Sequence, residues 1–187
     1  MSLSSYLAEA AALIQRTGTP ALDEAMNDAI ATIADALKAG RPLLVCGNGG
    51  SASDAMHITG ELVGRFLKER RALNAICLSS NPAVLTAWSN DYDYATVFSR
   101  QVEAYGVEGG VLLGISTSGN SANVIEALTT ARALGMKTVG LTGEGGGKMA
   151  ALCDHLLAVP SRRTPEIQQV HLCLYHYLCE MVEARCA

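Results

Sequence analysis

The chain has no run of about 18 uncharged apolar residues, and its first residues show no basic stretch followed by an apolar one. Neither a membrane span nor an export signal is therefore expected. Basic residues are few: 14 Lys and Arg against 18 Asp and Glu leave a formal charge of −4 and a pI near 5.5. That excludes the clustered positive surface a nucleic acid needs. The one basic knot, Lys68-Glu69-Arg70-Arg71, is short and interrupted, and is expected to be a solvated turn. The six cysteines (Cys46, Cys77, Cys153, Cys173, Cys179 and Cys186) contain no CxxC pair. They argue against a disulfide framework or a zinc knuckle, and are expected to be small core residues in a reducing compartment, the cytoplasm. Internal repeats, low-complexity stretches and interdomain linkers are also missing. One domain spanning residues 1–187 is expected, long enough to bury a sizeable core. Charged residues make up only 17% against 49% apolar, with a mean hydropathy of +0.21. That is apolar for a soluble monomer and points to further burial between subunits.

The first forty residues read as a helical pair. Tyr6, Leu7, Ala10, Leu13 and Ile14 recur at helical spacing until Gly18-Thr19-Pro20 breaks the run. A second helix has Thr19 as N-cap, Pro20 at its first position and Asp23 and Glu24 in its first turn, with Gly40 placed to end it. The rhythm then changes to short, continuous apolar runs: Leu43 to Cys46, Ala75 to Leu78, Val111 to Ile115, Thr138 to Leu141 and Leu156 to Val159. Strands buried on both faces of a parallel sheet look like this. Helical patterns fall between them, near residues 53–67, 83–88, 121–134 and 148–153, and a last helix runs from about Pro165 to Ala184. Strands alternating with helices give an α/β fold, a parallel sheet sandwiched by helices. The last helix is apolar almost all round, so burial between chains is expected for it.

Two strand-to-helix loops can hold an anion. The first is Gly47-Asn48-Gly49-Gly50-Ser51-Ala52-Ser53-Asp54, where glycines admit close backbone approach and a helix N-terminus offers free N–H groups. It formally matches G-x-G-x-x-A, but a dinucleotide site also wants an acid after the second strand. Leu78-Ser79-Ser80-Asn81-Pro82 supplies none. No Gly-Lys-Ser/Thr follows either, which excludes a P-loop. The second loop, Ser116-Thr117-Ser118-Gly119-Asn120-Ser121, places four hydroxyls at the turn into a helix. By composition alone it fits equally a phosphate nest and an ordinary serine-rich turn with Ser121 as N-cap. Two such loops in one sheet favour a small phosphorylated ligand.

These segments resemble the SIS (sugar isomerase) domain family, and within it the bacterial phosphoheptose isomerases. Gly47 to Ser51 with Asp54-Ala55-Met56-His57 and Glu61-Leu62 is similar to their first signature, and Leu112 to Ile125 to the second. Leu141-Thr142-Gly143 followed by Gly146 to Ala150 is similar to a third. The resemblance covers nearly the whole chain. It implies a flavodoxin-like five-stranded parallel sheet and a homotetramer with active sites shared between subunits. It also implies conversion of sedoheptulose 7-phosphate to a manno-heptose 7-phosphate, feeding nucleotide-activated heptose synthesis for the cell envelope.

Position by position, the resemblance places the phosphate on Ser116, Thr117, Ser118 and Ser121, and puts Asn48, Gly49, Gly50 and Ser51 along the substrate. Asn90 and Asp91, in a polar loop after Trp88, match a substrate-contacting pair. Glu61 matches the general base and His176 the general acid. His57, Glu61, Gln168 and His176 match a site for one zinc ion per subunit.

The chemistry suits these types. Aldose–ketose isomerisation moves a proton between neighbouring carbons through an enediol and needs one base and one acid. A glutamate and a histidine can fill those roles, and zinc can polarise the carbonyl. His57 and Glu61, four residues apart, share one helix face. Spacing alone fits as well a surface helix on which Glu61 pairs with Arg65. Gln168 and His176 lie about 12 Å apart on a continuous helix. Gln168 is also an unusual zinc ligand, so substrate binding is its other role. His171 competes with His176, or is a core histidine paired with a backbone group, and His155 reads as structural. A second functional reading is a non-catalytic SIS protein that binds the replication initiator. The joint presence of His57, Glu61 and His176 favours the enzyme, and no DNA-binding extension supports a sugar-phosphate sensor of regulators.

Overall fold

The computed structural model describes residues 2–187. Helices α1 (Leu3–Thr17) and α2 (Pro20–Lys38) precede β1 (Leu43–Gly47), α3 (Gly50–Val63), β2 (Ala75–Cys77) and α4 (Pro82–Asp91). A 3₁₀ turn at Tyr94–Thr96 leads into α5 (Val97–Tyr105), followed by β3 (Val111–Ser116), α6 (Ala122–Ala133) and β4 (Lys137–Thr142). A second 3₁₀ segment, Gly147–Leu152, β5 (His155–Ala158) and the long α7 (Thr164–Cys186) complete the chain. The strands form one parallel sheet in the order β2-β1-β3-β4-β5, the flavodoxin-like order.

Side-chain alternation along the strands feeds two cores. Leu43, Val45, Val111, Leu113 and Ile115 point to the layer of α2, α3 and α7, where Ile30, Ile33, Ile58, Leu62, Tyr175 and Leu178 are buried. Leu44, Cys46 and Leu112 point the other way, onto Phe98 and Val102 of α5 and Val124 and Leu128 of α6. On that second face Cys46, Gly114 and Gly140 stand in register across three strands. A Cβ on Gly114 would lie 2.8 Å from a Val124 methyl, so this small row is what lets α6 approach the sheet. Replacing a fully buried residue such as Leu112 by alanine would cost about 2–5 kcal/mol.

The helical pair begins and ends as the sequence predicts. The Thr19 hydroxyl accepts the Leu22 N–H, and Pro20 sits in the first turn. At the other end Gly40, with φ 77°, lets its own N–H reach Leu37 O and the Arg41 N–H reach Ala36 O. Only Leu13 and Thr17 of α1 are buried.

Four expectations need correction. Helix α5 escapes the sequence pattern because three buried apolar residues over nine positions are too few to establish a period. Helix α7 is largely covered by its own chain: α2, α3 and α1 bury Ile167, Val170, Tyr175, Leu178 and Val182. Leu172, Cys173 and Tyr177 are left outside. Cys173 is thus exposed, unlike buried Cys46 and Cys179, and all six thiols are free. The basic knot is not wholly solvated, since the Arg70 side chain is buried against Glu183. No helix among the described residues is long and apolar enough to cross a membrane.

His171 proves to be a core residue. It is fully buried, and Nε2 lies 3.1 Å from the Thr142 carbonyl oxygen. His155 pairs instead with the Thr32 hydroxyl at 2.9 Å. Burial pushes the His171 imidazole down to about 4, against the opposing effect of its bond to Thr142. Its ordinary value is 6.5, so between 6.5 and about 4 the unfolded chain binds a proton that the folded chain does not. Stability from this group is complete above that window and is lost as the pH falls through it. Denaturant midpoints of His171→Gln should therefore drop less between pH 7 and pH 5 than those of the parent chain. An identical drop would show that His171 is not held neutral by burial.

Candidate active site

In the observed strand order β1 and β3 are neighbours whose following connections leave in opposite directions, β1 toward β2 and β3 toward β4. Such a switch point opens a crevice beyond the strands' carboxyl ends. Both loops singled out in the sequence meet there. Asn48, Gly49, Gly50, Ser51, Ile115, Ser116, Thr117 and Ser121, with Thr164 and Gln168 from the start of α7, line a pocket of about 330 Å³.

The pocket is lined mainly by glycine, hydroxyl and amide residues, with no cationic side chain on its wall. What it has are helix N-termini. Helices α1, α2 and α4 are capped by the side chains of Ser2, Thr19 and Asn81. Helices α3, α6 and α7, which start at this pocket, carry no side-chain cap. Ser121 occupies the N-cap position of α6, yet its hydroxyl lies 2.8 Å from that of Ser116. Three dipole ends are thus open to an anion, with the first-turn N–H groups that the turns do not already bond; α7 offers the fewest, since Pro165 has none and Ile167 donates to Arg163 O. The backbone demands glycine at Gly49, with φ 56°, while a Cβ on Gly50 would meet the movable amide end of Gln168.

The walls are held by polar contacts. The Asn48 and Asn123 amides exchange two hydrogen bonds of 2.9 Å, and the Tyr94 hydroxyl donates to Asn48 Oδ1 at 2.7 Å. Thr164 and Thr117 hydroxyls meet at 3.3 Å. The Ser79 hydroxyl pins the end of β1, donating to Gly47 O at 2.8 Å and accepting the Gly47 N–H at 3.2 Å. Thr164, Asn123 and Tyr94 went unread in the sequence. Asn123 and Tyr94 are single polar residues whose role exists only through a partner distant in sequence.

Beyond the pocket, α3 and α7 continue side by side. Gly50 faces Gln168, His57 contacts Tyr175, and residues 66–68 meet Glu183, so the helices run in parallel and in step. Two turns along lies a second cluster. His57 Nε2 is 3.0 Å from Glu61 Oε1, and its Nδ1 is 2.9 Å from the Tyr175 hydroxyl. The His176 ring stands edge-on to His57 with centroids 5.1 Å apart, and Phe66 lies 5.8 Å from His176. The alternative partner for Glu61 is occupied elsewhere, because Arg65 pairs with Glu69 at 2.8 Å. Behind the cluster, burial raises the Asp54 carboxyl above the usual carboxylate range, while Tyr175 and His57 hold it back. Burial and the neighbouring Asp54 raise the Tyr175 hydroxyl, which stays protonated.

The remaining candidates fall elsewhere. Ser118 is exposed and off the pocket wall, but its hydroxyl, which accepts the Asn120 N–H at 3.1 Å, lies 3.4 Å from that of the pocket residue Ser116. Asn90 and Asp91 lie in the last turn of α4, not in a loop. They are exposed and bonded to each other at 2.9 Å, and are not part of the pocket wall in a single chain. Gln168 sits with the anion pocket and His176 with His57, about two turns apart along the seam between α3 and α7. Among the described residues no three His, Cys, Asp or Glu side chains are grouped closely enough to hold a metal ion.

Residues 5–143 match the SIS domain family. The phosphoheptose isomerase of Crocosphaera subtropica is 51% identical over 172 residues, which are 92% of this chain and 88% of that protein. The structure of phosphoheptose isomerase from Neisseria gonorrhoeae superposes with a TM-score of 0.91 at 41% identity, covering 97% of each chain. That from Francisella tularensis gives 0.92 at 36% identity, covering 97% of this chain and 96% of its own. The chain belongs to the SIS domain family and, within it, to the phosphoheptose isomerases.

The anion pocket makes a quantitative expectation. Each hydroxyl bond contributes about 0.5–1.5 kcal/mol. Ser116→Ala or Ser121→Ala should thus weaken inorganic phosphate, measured by calorimetry, by about 3- to 10-fold. Undiminished affinity in both variants would remove this pair from the anion site.

Proposed function

We propose that this chain catalyses the aldose–ketose isomerisation of sedoheptulose 7-phosphate to D-glycero-D-manno-heptose 7-phosphate. One observation carries the reading. The anion pocket at Gly50 and the acid–base cluster at His57 are seven residues apart on α3, about 10 Å along its axis. That is the span of an extended heptose phosphate, with its phosphate in the pocket and its carbonyl end at the cluster.

The residues then divide the work. The N–H groups of α3, α6 and α7 with Ser116, Thr117 and Ser121 hold the phosphate, and Asn48 and Gln168 flank the sugar. The Glu61 carboxylate takes the proton from the carbon beside the carbonyl, leaving its electron pair to form the enediol double bond. His176 gives a proton to the carbonyl oxygen as that bond forms. Reversal on the neighbouring carbon completes the transfer: Glu61 returns its proton there, and His176 recovers one from the adjacent hydroxyl. His57, 3.0 Å from Glu61 Oε1, holds the carboxylate in place.

Two imidazoles and a carboxylate are ordinary zinc ligands, and the bond from Tyr175 to His57 is the outer contact that orients a ligating histidine. His57, Glu61 and His176 are the residues that would hold one zinc ion per subunit, with Gln168 the fourth candidate, but in this chain they are not grouped closely enough to form its site and Gln168 lies at the anion pocket. When bound, the ion would supply positive charge to an oxygen that becomes negative in the reaction. The exposed apolar residues of α1 and α7, among them Leu3, Leu7, Leu172 and Tyr177, favour a homotetramer. In such an assembly Asn90 and Asp91 would serve a neighbouring site. Six free thiols suit a cytoplasmic enzyme.

Incubation with sedoheptulose 7-phosphate, followed by NMR, should show the aldose phosphate appearing. Glu61→Gln and His176→Ala should each lower kcat by about 10²–10⁴-fold. No turnover with or without added zinc, or full activity in Glu61→Gln, would sink this mechanism and leave a non-catalytic SIS protein.

A further inference from the structure

Glu183, in the last turns of α7, is 1% exposed, and the Arg70 side chain facing it at 3.2 Å is 2% exposed. The carboxylate accepts three successive backbone N–H groups, from Phe66 at 3.0 Å, Leu67 at 2.7 Å and Lys68 at 2.9 Å. Burial alone would raise this carboxyl, but those bonds and Arg70 hold it below the usual range. The guanidinium reaches back to α3, donating to the carbonyl oxygens of Glu61 at 2.9 Å and Gly64 at 2.8 Å.

The carbonyls of a helix's last turn have no partner within the helix. In α3 the Gly60 oxygen takes the Gly64 N–H and the Leu62 oxygen takes the Leu73 N–H. The Glu61 oxygen takes Arg70. Arg70 is therefore a side-chain cap on the turn that carries the catalytic carboxylate, and Glu183 holds that cap in place. The same Glu183 fixes the backbone of Phe66, whose ring lies 5.8 Å from His176. A buried ion pair is a poor way to gain stability, because desolvating both charges offsets their attraction. Its planar, charge-assisted fork is a good way to hold several backbone groups in one geometry.

We propose that the Glu183–Arg70 pair is a positioning device that sets Glu61 and His176 relative to each other for proton transfer. It rests on the reading in which those two residues carry the chemistry. The pair lies outside the anion pocket, so its effect falls on the chemical step. A displacement of about 1 Å at the reacting groups costs on the order of 10²-fold in rate.

The test compares Glu183→Gln and Arg70→Lys with the parent chain. Glu183→Gln keeps an acceptor but removes the charge. Arg70→Lys keeps the positive charge beside Glu183, but one nitrogen with three N–H groups cannot serve Glu183 and the Glu61, Gly64 and Arg71 carbonyls together. Both should lower kcat by about 10-fold or more, while KM and the affinity for inorganic phosphate stay within about twofold. If Glu183→Gln does not fold, Arg70→Lys decides the matter. Full kcat in a folded variant, or phosphate affinity lost as steeply as kcat, would overturn the proposal. Amide exchange at Leu62, Val63 and Gly64 and the NMR resonance of the His176 ring provide a readout that needs no turnover. Both should change in the variants, and unchanged values would also overturn it. Loss of the isomerase reading would instead show as a parent chain without turnover, or as an active Glu61→Gln.

Discussion

Helices α3 and α7 lie side by side, in the same direction and in step, and the site is distributed along that one seam. At its start Gly50 meets Gln168, in its middle His57 meets Tyr175, and at its end Phe66, Leu67 and Lys68 close on Glu183. Parallel helices seldom follow one another directly in sequence. Here 100 residues (64–163) and four strands separate them, and only the sheet, with α3 and α7 packed on one face, brings them together. A slip of one residue along the seam would carry His176 away from His57 and turn Gln168 off Gly50. The buried contacts of Tyr175, Leu178 and Val182 oppose such a slip through packing, and Glu183 opposes it through hydrogen bonds to the backbone.

The two halves of the site use different physics. At the strand ends, charge is handled without a charged side chain, by N–H groups and hydroxyls at three uncapped helix starts. Such an arrangement recognises an anion while costing the fold little, since free N–H groups at an exposed helix start are solvated in any case. Two turns along, titratable groups are gathered: a carboxylate, two imidazoles, and behind them Tyr175 and the half-buried Asp54. Binding and proton transfer are thus set by separate elements, with α3 as the common ruler.

How far this could be read beforehand depended on the range of each contact. The glycine loop and the serine loop were legible because each is a contiguous string at a strand-to-helix turn, where residue type and local geometry coincide. The five strands were legible because burial on both faces makes them continuous apolar runs. Helix α5 was not, for want of a period. Arg70 was misread as solvated because a charged residue in a charged string looks alike whether it faces water or a carboxylate 113 positions further on. Asn123 and Tyr94 were missed for the same reason, as their role is to hold Asn48. Asn90 and Asp91 were given their role by resemblance, and in one chain they lie outside the pocket.

Residue order alone determined the class of fold, set the glycine and serine loops at strand-to-helix turns and put His57 and Glu61 on one helix face, because strand burial, turn chemistry and helical spacing are short-range properties that a string of residues already contains. Tertiary structure alone decided that both loops open on one crevice, that Gln168 belongs to the anion pocket while His176 belongs to His57, that His171 is core, and that Arg70 caps the turn bearing Glu61. Each of these depends on which face of α7 meets α3 and the sheet. That is settled by the packing of whole elements across the core, where no local pattern reaches.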